Sequence, residues 1–411
     1  MMQVPLSGPD ITQRERDLVN QVLDTPYLSM GPKIELFEAA MGEYVGRQYA
    51  VGVSSGTAGL HLAVIAAGVE EGDLVITTPF SFVASANCIL YQRAIPIFVD
   101  IDRQTMNLDP ALVAQAVVDL TDHQEWATRW LPPSMRNADC GLRNSKSQIG
   151  NLKCILPVHI FGQPADMEFL TWIAERYHLP LIEDACEALG AEYQGKKAGS
   201  LGDVAVFAFY PNKQLTTGEG GMLVTDREEW AALFRSLRNQ GRDDSGAWLN
   251  HVRLGYNYRL DELSAALGLA QMERFEELLS KRERVAGWYG ERLQGLEGVE
   301  TPPISPQTTR VGWFVYVVRL ASHVDRETLM ASLEERGIPS RAYFPPIHLQ
   351  PFYRETFGYQ EGNFPVAESV ASCTLALPFC GTMTEEQVEY VCDKLGSLLR
   401  SKGCLKASSA R

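Results

Sequence analysis

Short apolar runs alternate with amphipathic stretches along residues 51–238. The apolar runs predict strands, and the stretches between them have helical spacing. The predicted strands are 51–53, 74–77, 95–99, 153–158, 180–183, 204–209 and 221–225. The predicted helices are 58–67, 81–92, 109–118, 164–177 and 227–238. This alternation predicts an α/β fold with a mostly parallel sheet between helices.

The pattern changes after residue 255. A long helical stretch at 260–294 leads into a second α/β region, in which 313–320 predicts a strand. The segment TEEQ at 384–387 has the spacing of a capping box and predicts the start of a last helix. We therefore expect two domains, a large cofactor-binding domain at 1–255 and a small C-terminal domain at 256–411.

Residues 119–151 interrupt the alternation with a polar segment that contains a proline pair. Trp126 and Trp130 have i, i+4 spacing, which predicts one short amphipathic helix. A loop of this length in a compact domain is usually functional or disordered. Three interpretations of the insertion stay open: a cover over the active site, an extension of a dimer contact, or a segment without chemical function.

Composition and charge exclude several classes of protein. The 51 acidic residues outnumber the 37 basic ones, and a net charge of −14 argues against nucleic-acid binding. No apolar run is long enough to predict a membrane span, and the first residues lack the apolar stretch of a signal peptide. The eight cysteines lack CxxC pairs and metal-ligand spacing. They predict reduced thiols in a cytoplasmic protein without a metal site.

One lysine, Lys213, follows a predicted buried strand closely. The strand at 204–209 ends in a Pro-Asn turn, and the glycine-rich segment GEGG begins five residues after the lysine. A lysine at the end of a buried strand is poorly hydrated, which favours its neutral, nucleophilic amine. This is the environment of a lysine that forms a Schiff base. The alternative is a solvated lysine in a surface turn.

A carboxylate, Asp184, lies at the end of another predicted strand. α/β proteins commonly place functional groups at the carboxyl ends of their strands. If the cofactor is pyridoxal phosphate, one carboxylate should keep the pyridine nitrogen protonated, so that the ring remains an electron acceptor. The alternative is an aspartate that caps the following helix.

A turn of small residues, SSGT at 54–57, joins a predicted strand to a predicted helix. The free N–H groups of a helix start bind anions, Gly56 allows close approach, and Thr57 adds a hydroxyl. The segment is neither a Walker loop nor a dinucleotide fingerprint. It predicts a phosphate site, and the alternative is a capped helix start without a ligand.

The order and separation of these three features resemble those of the DegT/StrS group of sugar aminotransferases, which are pyridoxal phosphate enzymes of fold type I. The matching segments extend through most of the chain: YLSMGPKIELFE (27–38), SSGTAGLHLA (54–63), TPFSFVASAN (78–87), FVDID (98–102), NLDP (107–110), LPVHIFGQPADM (156–167), EDACEALGA (183–191), FAFYPNK with GEGGM (207–222), RNQGRD (238–243), LGYNYRLDELSAALG (254–268) and RAYFPPIHLQPFY (341–353). The resemblance implies a large cofactor domain and a smaller C-terminal α/β domain.

The resemblance also implies pyridoxal 5′-phosphate as cofactor and assigns residues to it. Lys213 matches the lysine that bonds to the cofactor aldehyde, and Asp184 matches the partner of the ring nitrogen. Gly56 and Thr57 match ligands of the phosphate. Phe82 matches the aromatic residue that stacks on the ring, and its alternative is an ordinary core phenylalanine.

Asn257 matches a residue that reaches the phosphate from the neighbouring subunit, so the resemblance implies a homodimer with shared active sites. The alternative for Asn257 is a turn asparagine. Two positions depart from the family pattern. Ala208 replaces a Ser or Thr that donates to the phosphate. Glu187 replaces a Gln near the phenolic oxygen of the cofactor, where we expect a protonated or re-oriented carboxyl group.

The implied reaction moves an amino group from an amino acid, L-glutamate by resemblance, to a keto-sugar that carries a nucleotide. Arg259, Tyr343 and His348 are candidate substrate residues within matched segments. Further candidates for an anionic substrate are Arg242, Arg253 and Arg341, whose alternative is a solvated surface position. Two other functions stay open: transamination of a keto-inositol or another non-nucleotide substrate, and a regulatory protein that keeps the fold without turnover.

Overall fold

The computed structural model describes residues 2–122, 124–136, 150–243 and 249–401. Its α-helices, α1 to α15 in chain order, are Gln13–Leu23, Pro32–Val45, Gly56–Ala66, Ala84–Leu90, Pro110–Thr121, Gln124–Ala127, Pro133–Arg136, Met167–Tyr177, Glu228–Arg238, Glu262–Met272, Phe275–Leu293, Arg326–Glu334, Pro351–Phe357, Pro365–Cys373 and Glu385–Arg400. Its strands, β1 to β13, are Tyr49–Val53, Leu74–Thr77, Ile95–Phe98, Leu152–Ile155, Ile182–Asp184, Glu192–Tyr193, Lys196–Lys197, Val204–Ala208, Gly221–Thr225, Val299–Glu300, Thr308–Arg310, Tyr316–Leu320 and Thr374–Leu377. Short 3₁₀ helices lie at Ile160–Gly162 and Ile347–Leu349.

The central sheet consists of two strand groups, β1-β9-β8-β5 and β4-β2-β3. Parallel bridges from Ile155 to Leu181 and from Val158 to Asp184 join the groups. β9 runs antiparallel to both of its neighbours, and the other neighbouring pairs are parallel. The predicted α/β class with a mostly parallel sheet is therefore confirmed.

Helices cover both faces of this sheet, which explains why its strands are apolar along their whole length. Along β8, Val204 and Val206 pack into one buried layer, and Ala205 and Phe207 pack into the other. The carboxyl ends of β5 and β8 lie side by side, because Asp184 pairs with Val206. The segments that follow these two strands therefore meet at one edge of the sheet.

The C-terminal region contains an antiparallel sheet, β10-β12-β13, packed against helices. Val285 of α11, Leu329 of α12 and Leu395 of α15 share one buried cluster with strand residues such as Val318. The predicted capping box at the start of α15 is present, with Thr384 and Gln387 side chains each accepting from the backbone N–H of the other. The strand predicted at 313–320 begins only at Tyr316.

The helical stretch predicted at 260–294 is broken between Met272 and Phe275. α10 packs against α1 and α2 near the N-terminus, whereas α11 packs against α15. A single straight helix would not reach both partners. Because α10 packs on the N-terminal helices and Val4 packs into the C-terminal core, contacts cross the predicted domain boundary at residue 255. That boundary stays a prediction.

The described part of the 119–151 insertion packs on two regions: α6 lies against α5, and α7 lies against the C-terminal region. α7 contacts α13, and Met135 lies against the cluster that contains Tyr353 and Phe357. The prediction of one helix with both tryptophans is wrong, because α6 ends at Ala127 and Trp130 follows it. Trp130 instead donates through Nε1 to Asp119 at 2.6 Å. Residue 123 and residues 137–149 of the insertion lie outside the described part.

Candidate active site

Asp184 ends β5 with a buried side chain that is 4% exposed. Its Oδ2 accepts a hydrogen bond from the Ser85 hydroxyl at 2.6 Å, and its Oδ1 accepts from the Cys186 N–H at 3.1 Å. The carboxylate also lines a cavity of about 430 Å³ at the carboxyl edge of the central sheet. Two donors therefore hold this acidic group in place inside the cavity.

Lys213 lines the same cavity from a turn beyond β8. Its backbone N–H donates to the Tyr210 carbonyl at 2.9 Å, and its side chain is only 13% exposed. The amine nitrogen lies 3.9 Å from Oε1 of Glu187 and 3.7 Å from the ring centroid of Phe314. The lysine is thus a cavity residue and not the solvated turn residue of the alternative interpretation.

Glu187 is another titratable residue of the cavity and is 4% exposed. Its Oε2 accepts from the Phe161 N–H at 2.9 Å. Burial raises the pKa of Glu187 to about 7, against the opposing effects of the Lys213 charge and the Phe161 hydrogen bond. The carboxyl group is therefore partly protonated near neutral pH, in the direction expected for this departure from the family pattern.

The turn at residues 54–57 forms another wall of the cavity. The Ser55 hydroxyl accepts from the Ala58 N–H at 3.1 Å and caps α3. The N–H groups of Gly56 and Thr57 have no acceptor within the helix, because the first turn of any helix leaves them free. A Cβ added at Gly56 would lie 2.7 Å from the Ala208 Cβ and 2.9 Å from the Cys186 sulfur. Only glycine allows this close approach.

Aromatic residues complete the cavity. Phe82 lines it with a side chain that is 60% exposed, which excludes the alternative of an ordinary core phenylalanine. The helix predicted at 81–92 begins only at Ala84, so Phe82 lies in the preceding turn. Tyr343 also lines the cavity, beside Phe344.

Seven of the residues selected from the sequence line this one cavity: Gly56, Thr57, Phe82, Asp184, Glu187, Lys213 and Tyr343. Sequence reasoning missed Ser85 and Phe314, which also line it. A signal for Ser85 exists, since it lies in the matched segment TPFSFVASAN. For Phe314 the sequence offers no signal, because only the folding of the C-terminal region brings it to the lysine.

The other selected residues do not line this cavity; they are Asn257, Arg259, His348, Arg242, Arg253 and Arg341. Asn257 is exposed, and Arg259 donates to the Asn239 side chain at 3.1 Å. His348 lies in the interior, where its Nε2 is 2.9 Å from Oε1 of Glu368. Burial lowers the pKa of His348 despite the neighbouring carboxylate. Its position within this chain does not support contact with a substrate.

Within the described ranges, no group of three or more metal-ligating side chains could hold an ion. No helix in those ranges has the length and apolar character needed to cross a membrane. The described cysteines are free, and they are Cys88, Cys154, Cys186, Cys373, Cys380 and Cys392. Cys140 and Cys404 lie outside the described residues.

Residues 9–396 match the sequence profile of the DegT/DnrJ/EryC1/StrS aminotransferase family. The chain belongs to this family. It is 36% identical over 400 residues to a GDP-perosamine synthase of Caulobacter vibrioides, with 97% of this chain and 98% of the relative covered. It is 34% identical over 410 residues to the spore coat polysaccharide biosynthesis protein SpsC of Bacillus subtilis, with 97% of each covered.

A solved structure of a family aminotransferase has the same fold. The chain matches S. venezuelae DesV, in complex with a ketimine intermediate, with a TM-score of 0.82, 32% identity and 95% of each chain covered. Membership of the family makes this DegT-family chain a pyridoxal phosphate-dependent aminotransferase related to enzymes of sugar and polysaccharide biosynthesis.

The cavity fits pyridoxal phosphate in its lining groups and in its volume. The start of α3 offers free N–H groups to a phosphate, and Gly56 lets this helix start pack directly against Ala208 and Cys186 of the cavity wall. Asp184 offers a buried carboxylate to a ring nitrogen, and Lys213 offers a shielded amine to an aldehyde. The volume of about 430 Å³ lies in the range of pockets that bind small cofactors.

Proposed function

We propose that the protein transfers an amino group from L-glutamate to a keto-sugar linked to a nucleotide, in the synthesis of an amino sugar for a polysaccharide or glycoside. The observation that carries the proposal is the placement of the Lys213 amine and the Asp184 and Glu187 carboxyl groups around one cavity. Similarity to a GDP-perosamine synthase and to a polysaccharide biosynthesis protein supports a sugar acceptor.

The bound cofactor supplies an aldehyde that accepts the donor's amino group and a ring that accepts electrons. In the proposal, Lys213 removes the proton from the donor's α-carbon as a general base and returns it as a general acid. Asp184 would hold the ring nitrogen of the cofactor and keep it protonated, and the Ser85 hydroxyl and the Cys186 backbone N–H fix its two oxygens for this role. The N–H groups of Gly56 and Thr57 bind the phosphate.

Glu187 is proposed to act as a proton-carrying neighbour of the cofactor's phenolic oxygen. A pKa of about 7 lets the carboxyl group hold a proton at neutral pH and donate it in a hydrogen bond. An ionised Glu187 would instead repel that oxygen. Ala208, which also lines the cavity, offers no hydroxyl to the phosphate, so the helix start carries more of that contact.

We further propose a cytoplasmic homodimer with shared active sites. Asn257 is exposed and does not line its own cavity, which is consistent with a contact to the neighbouring subunit. The preceding segment exposes apolar side chains, among them Leu254 at 84% and Val252 at 50%. Exposed apolar residues close together are typical of a protein interface.

The acceptor is tested with purified protein that contains its cofactor. We expect L-glutamate alone to release about one 2-oxoglutarate per active site, because a single half-reaction consumes the aldehyde. Continuous turnover should follow only when a nucleotide-linked keto-sugar is added. Turnover with a keto-inositol alone would replace the proposed acceptor. Release of 2-oxoglutarate without continuous turnover, whether a keto-sugar or a keto-inositol is added, would favour the regulatory alternative.

The lysine is tested by comparing Lys213→Ala with Lys197→Ala. Both amines lie over an aromatic ring, since the Lys197 nitrogen is 3.5 Å from the ring centroid of Tyr44, but only Lys213 lines the cavity. We expect Lys213→Ala to lose the visible absorbance of lysine-linked cofactor and all transamination, and Lys197→Ala to keep both. Visible absorbance that survives in Lys213→Ala would overturn the assignment.

A further inference from the structure

Arg282 of α11 carries a buried charge without a carboxylate partner in the described part of the chain. The residue is 4% exposed, and its hydrogen bonds in that part of the chain all go to main-chain carbonyls. Burial lowers the pKa of Arg282 to about 10, which leaves the guanidinium charged at neutral pH. A buried unpaired charge is costly unless hydrogen bonds satisfy it. The position of its acceptors therefore indicates what the arginine stabilises.

The acceptors are main-chain carbonyls of two segments that are far apart in sequence. Nη2 donates to the carbonyls of Lys213 at 2.5 Å and Asn212 at 3.2 Å. Nη1 donates to the carbonyls of Trp313 at 3.2 Å and Phe314 at 3.3 Å. One guanidinium thus joins the turn that carries the lysine to the segment before β12.

The two joined segments place the lysine amine against the Phe314 ring, with 3.7 Å between the amine nitrogen and the ring centroid. A second buried side chain joins the same segments. The amide nitrogen of Gln214 donates to the carbonyls of Glu187 and Gly312, each at 2.5 Å. Hydrogen bonds therefore fix the chain at Asn212 and Lys213, through Arg282, and at the next residue, Gln214.

We infer that Arg282 is a positioning residue that holds the Lys213 amine in the cavity by fixing the carbonyls of the lysine turn and of the Phe314 segment. The inference rests on the proposed role of Lys213. Arginine suits this task because its planar fork directs donors from two nitrogens toward two separate chain segments. Lysine has one nitrogen on a flexible stem and cannot serve both segments in the same way.

Arg274 offers a matched control at the start of α11. Its guanidinium is also largely buried, with 12% of its side chain exposed, but it pairs with Asp10, Glu15 and Glu277. It makes no contact with the lysine turn. Variants at both positions should therefore lose stability, whereas only those at Arg282 should affect the lysine.

The experiment compares Arg282→Met and Arg282→Lys with Arg274→Met and Arg274→Lys in the full chain. The first measurement is the rate at which visible absorbance appears when cofactor-free protein is mixed with pyridoxal phosphate. We expect both Arg282 variants to react at least about tenfold more slowly, because a correctly placed nucleophile gains much of its rate from orientation. Both Arg274 variants should react at the wild-type rate.

The second measurement is amide hydrogen exchange of residues 210–217 in the cofactor-free protein. We expect faster exchange there in the Arg282 variants, and unchanged exchange in β9. Should Arg282→Met not fold, Arg282→Lys decides the result. Wild-type reaction rates and wild-type exchange in a folded Arg282 variant would overturn the inference. If visible absorbance instead survives in Lys213→Ala, the proposed function fails first.

Discussion

Glu183 and Glu187 lie on either side of Asp184 in sequence, and both are buried, yet their surroundings differ. Glu183 accepts hydrogen bonds from His159 Nε2 at 3.0 Å and from three backbone N–H groups, those of Gly199, Leu201 and Gly202. Burial alone would raise the pKa of Glu183, but these donors outweigh it, and the pKa is lowered.

Glu187 accepts from a single backbone N–H, that of Phe161, and lies 3.9 Å from the Lys213 amine. With fewer donors, burial dominates and raises the pKa of Glu187 to about 7. The same residue type, four positions apart, is therefore a fixed structural anion at one position and a group that titrates near neutral pH at the other. The number of donors around a buried carboxyl group decides between these outcomes.

The largest effect should come from Glu183→Gln. The glutamine amide has only one oxygen, so it cannot accept all four hydrogen bonds that Glu183 accepts. Its NH₂ group would face N–H donors, and these buried donors would lose their acceptor. We expect the free energy of unfolding to fall by about 3–5 kcal/mol in urea denaturation. The control is Glu300→Gln, at an exposed carboxylate paired with Arg319, which should cost less than about 1 kcal/mol. Similar losses for both variants would remove the contrast.

Glu187→Gln should affect the pH dependence of stability. Because the pKa of Glu187 is raised on folding, the folded protein holds this proton between about pH 4.5 and about pH 7, where the unfolded chain has released it. The contribution of Glu187 to stability is therefore largest at the acidic end of this range and is lost as pH rises to about 7. The Glu187→Gln variant lacks this titration. The difference in unfolding free energy between variant and wild type should therefore shift in favour of the variant by up to about 3 kcal/mol from pH 5 to pH 8.

The measurement for Glu187→Gln is urea unfolding of cofactor-free protein at pH 5 and pH 8. Wild type measured in parallel supplies the reference at each pH, which cancels the contributions of other titrating groups. An equal difference in unfolding free energy at both pH values would show that Glu187 titrates normally and would break the comparison with Glu183.

Asp184→Asn should have the smallest energetic effect of the three but a clear effect on chemistry. The amide cannot provide the negative charge that keeps a ring nitrogen protonated, so we expect the glutamate half-reaction to slow by at least about a hundredfold, or about 2.7 kcal/mol. Ser85→Ala, which removes one hydrogen bond and keeps the charge, should slow it by roughly tenfold or less. Near-normal rates in Asp184→Asn would contradict the proposed role of its charge.

The strand ends and their associated motifs could be predicted from the sequence because they depend on local order. Asp184 ends β5, and Gly56 and Thr57 begin α3, close to the positions expected. In a parallel sheet the carboxyl ends of strands lie on one edge, so residues far apart in sequence must meet there. The chain order of Gly56, Asp184 and Lys213, together with the family resemblance, therefore predicted one shared site.

Features that depend on how the C-terminal region packs could not be predicted in this way. His348 lies in a matched segment, but Glu368 and neighbouring aromatic rings enclose it. The break between α10 and α11 follows from their different packing partners. Strand β12 begins only at Tyr316, and the preceding carbonyls of Trp313 and Phe314 accept from Arg282 of a distant helix. None of these contacts has a local sequence pattern.

Local patterns along the chain were enough for the alternation of helices and strands, the α/β class and the positions of Gly56, Asp184 and Lys213 beside strand ends, because periodicity and turn chemistry act over a few neighbouring positions. Phe82, Glu187 and Tyr343 were selected only through the family resemblance. Only the tertiary structure decided the charge state of Glu187, the burial of His348 and the hydrogen bonds of Arg282. Those properties depend on how many donors and acceptors surround a side chain after folding, and distant segments supply them.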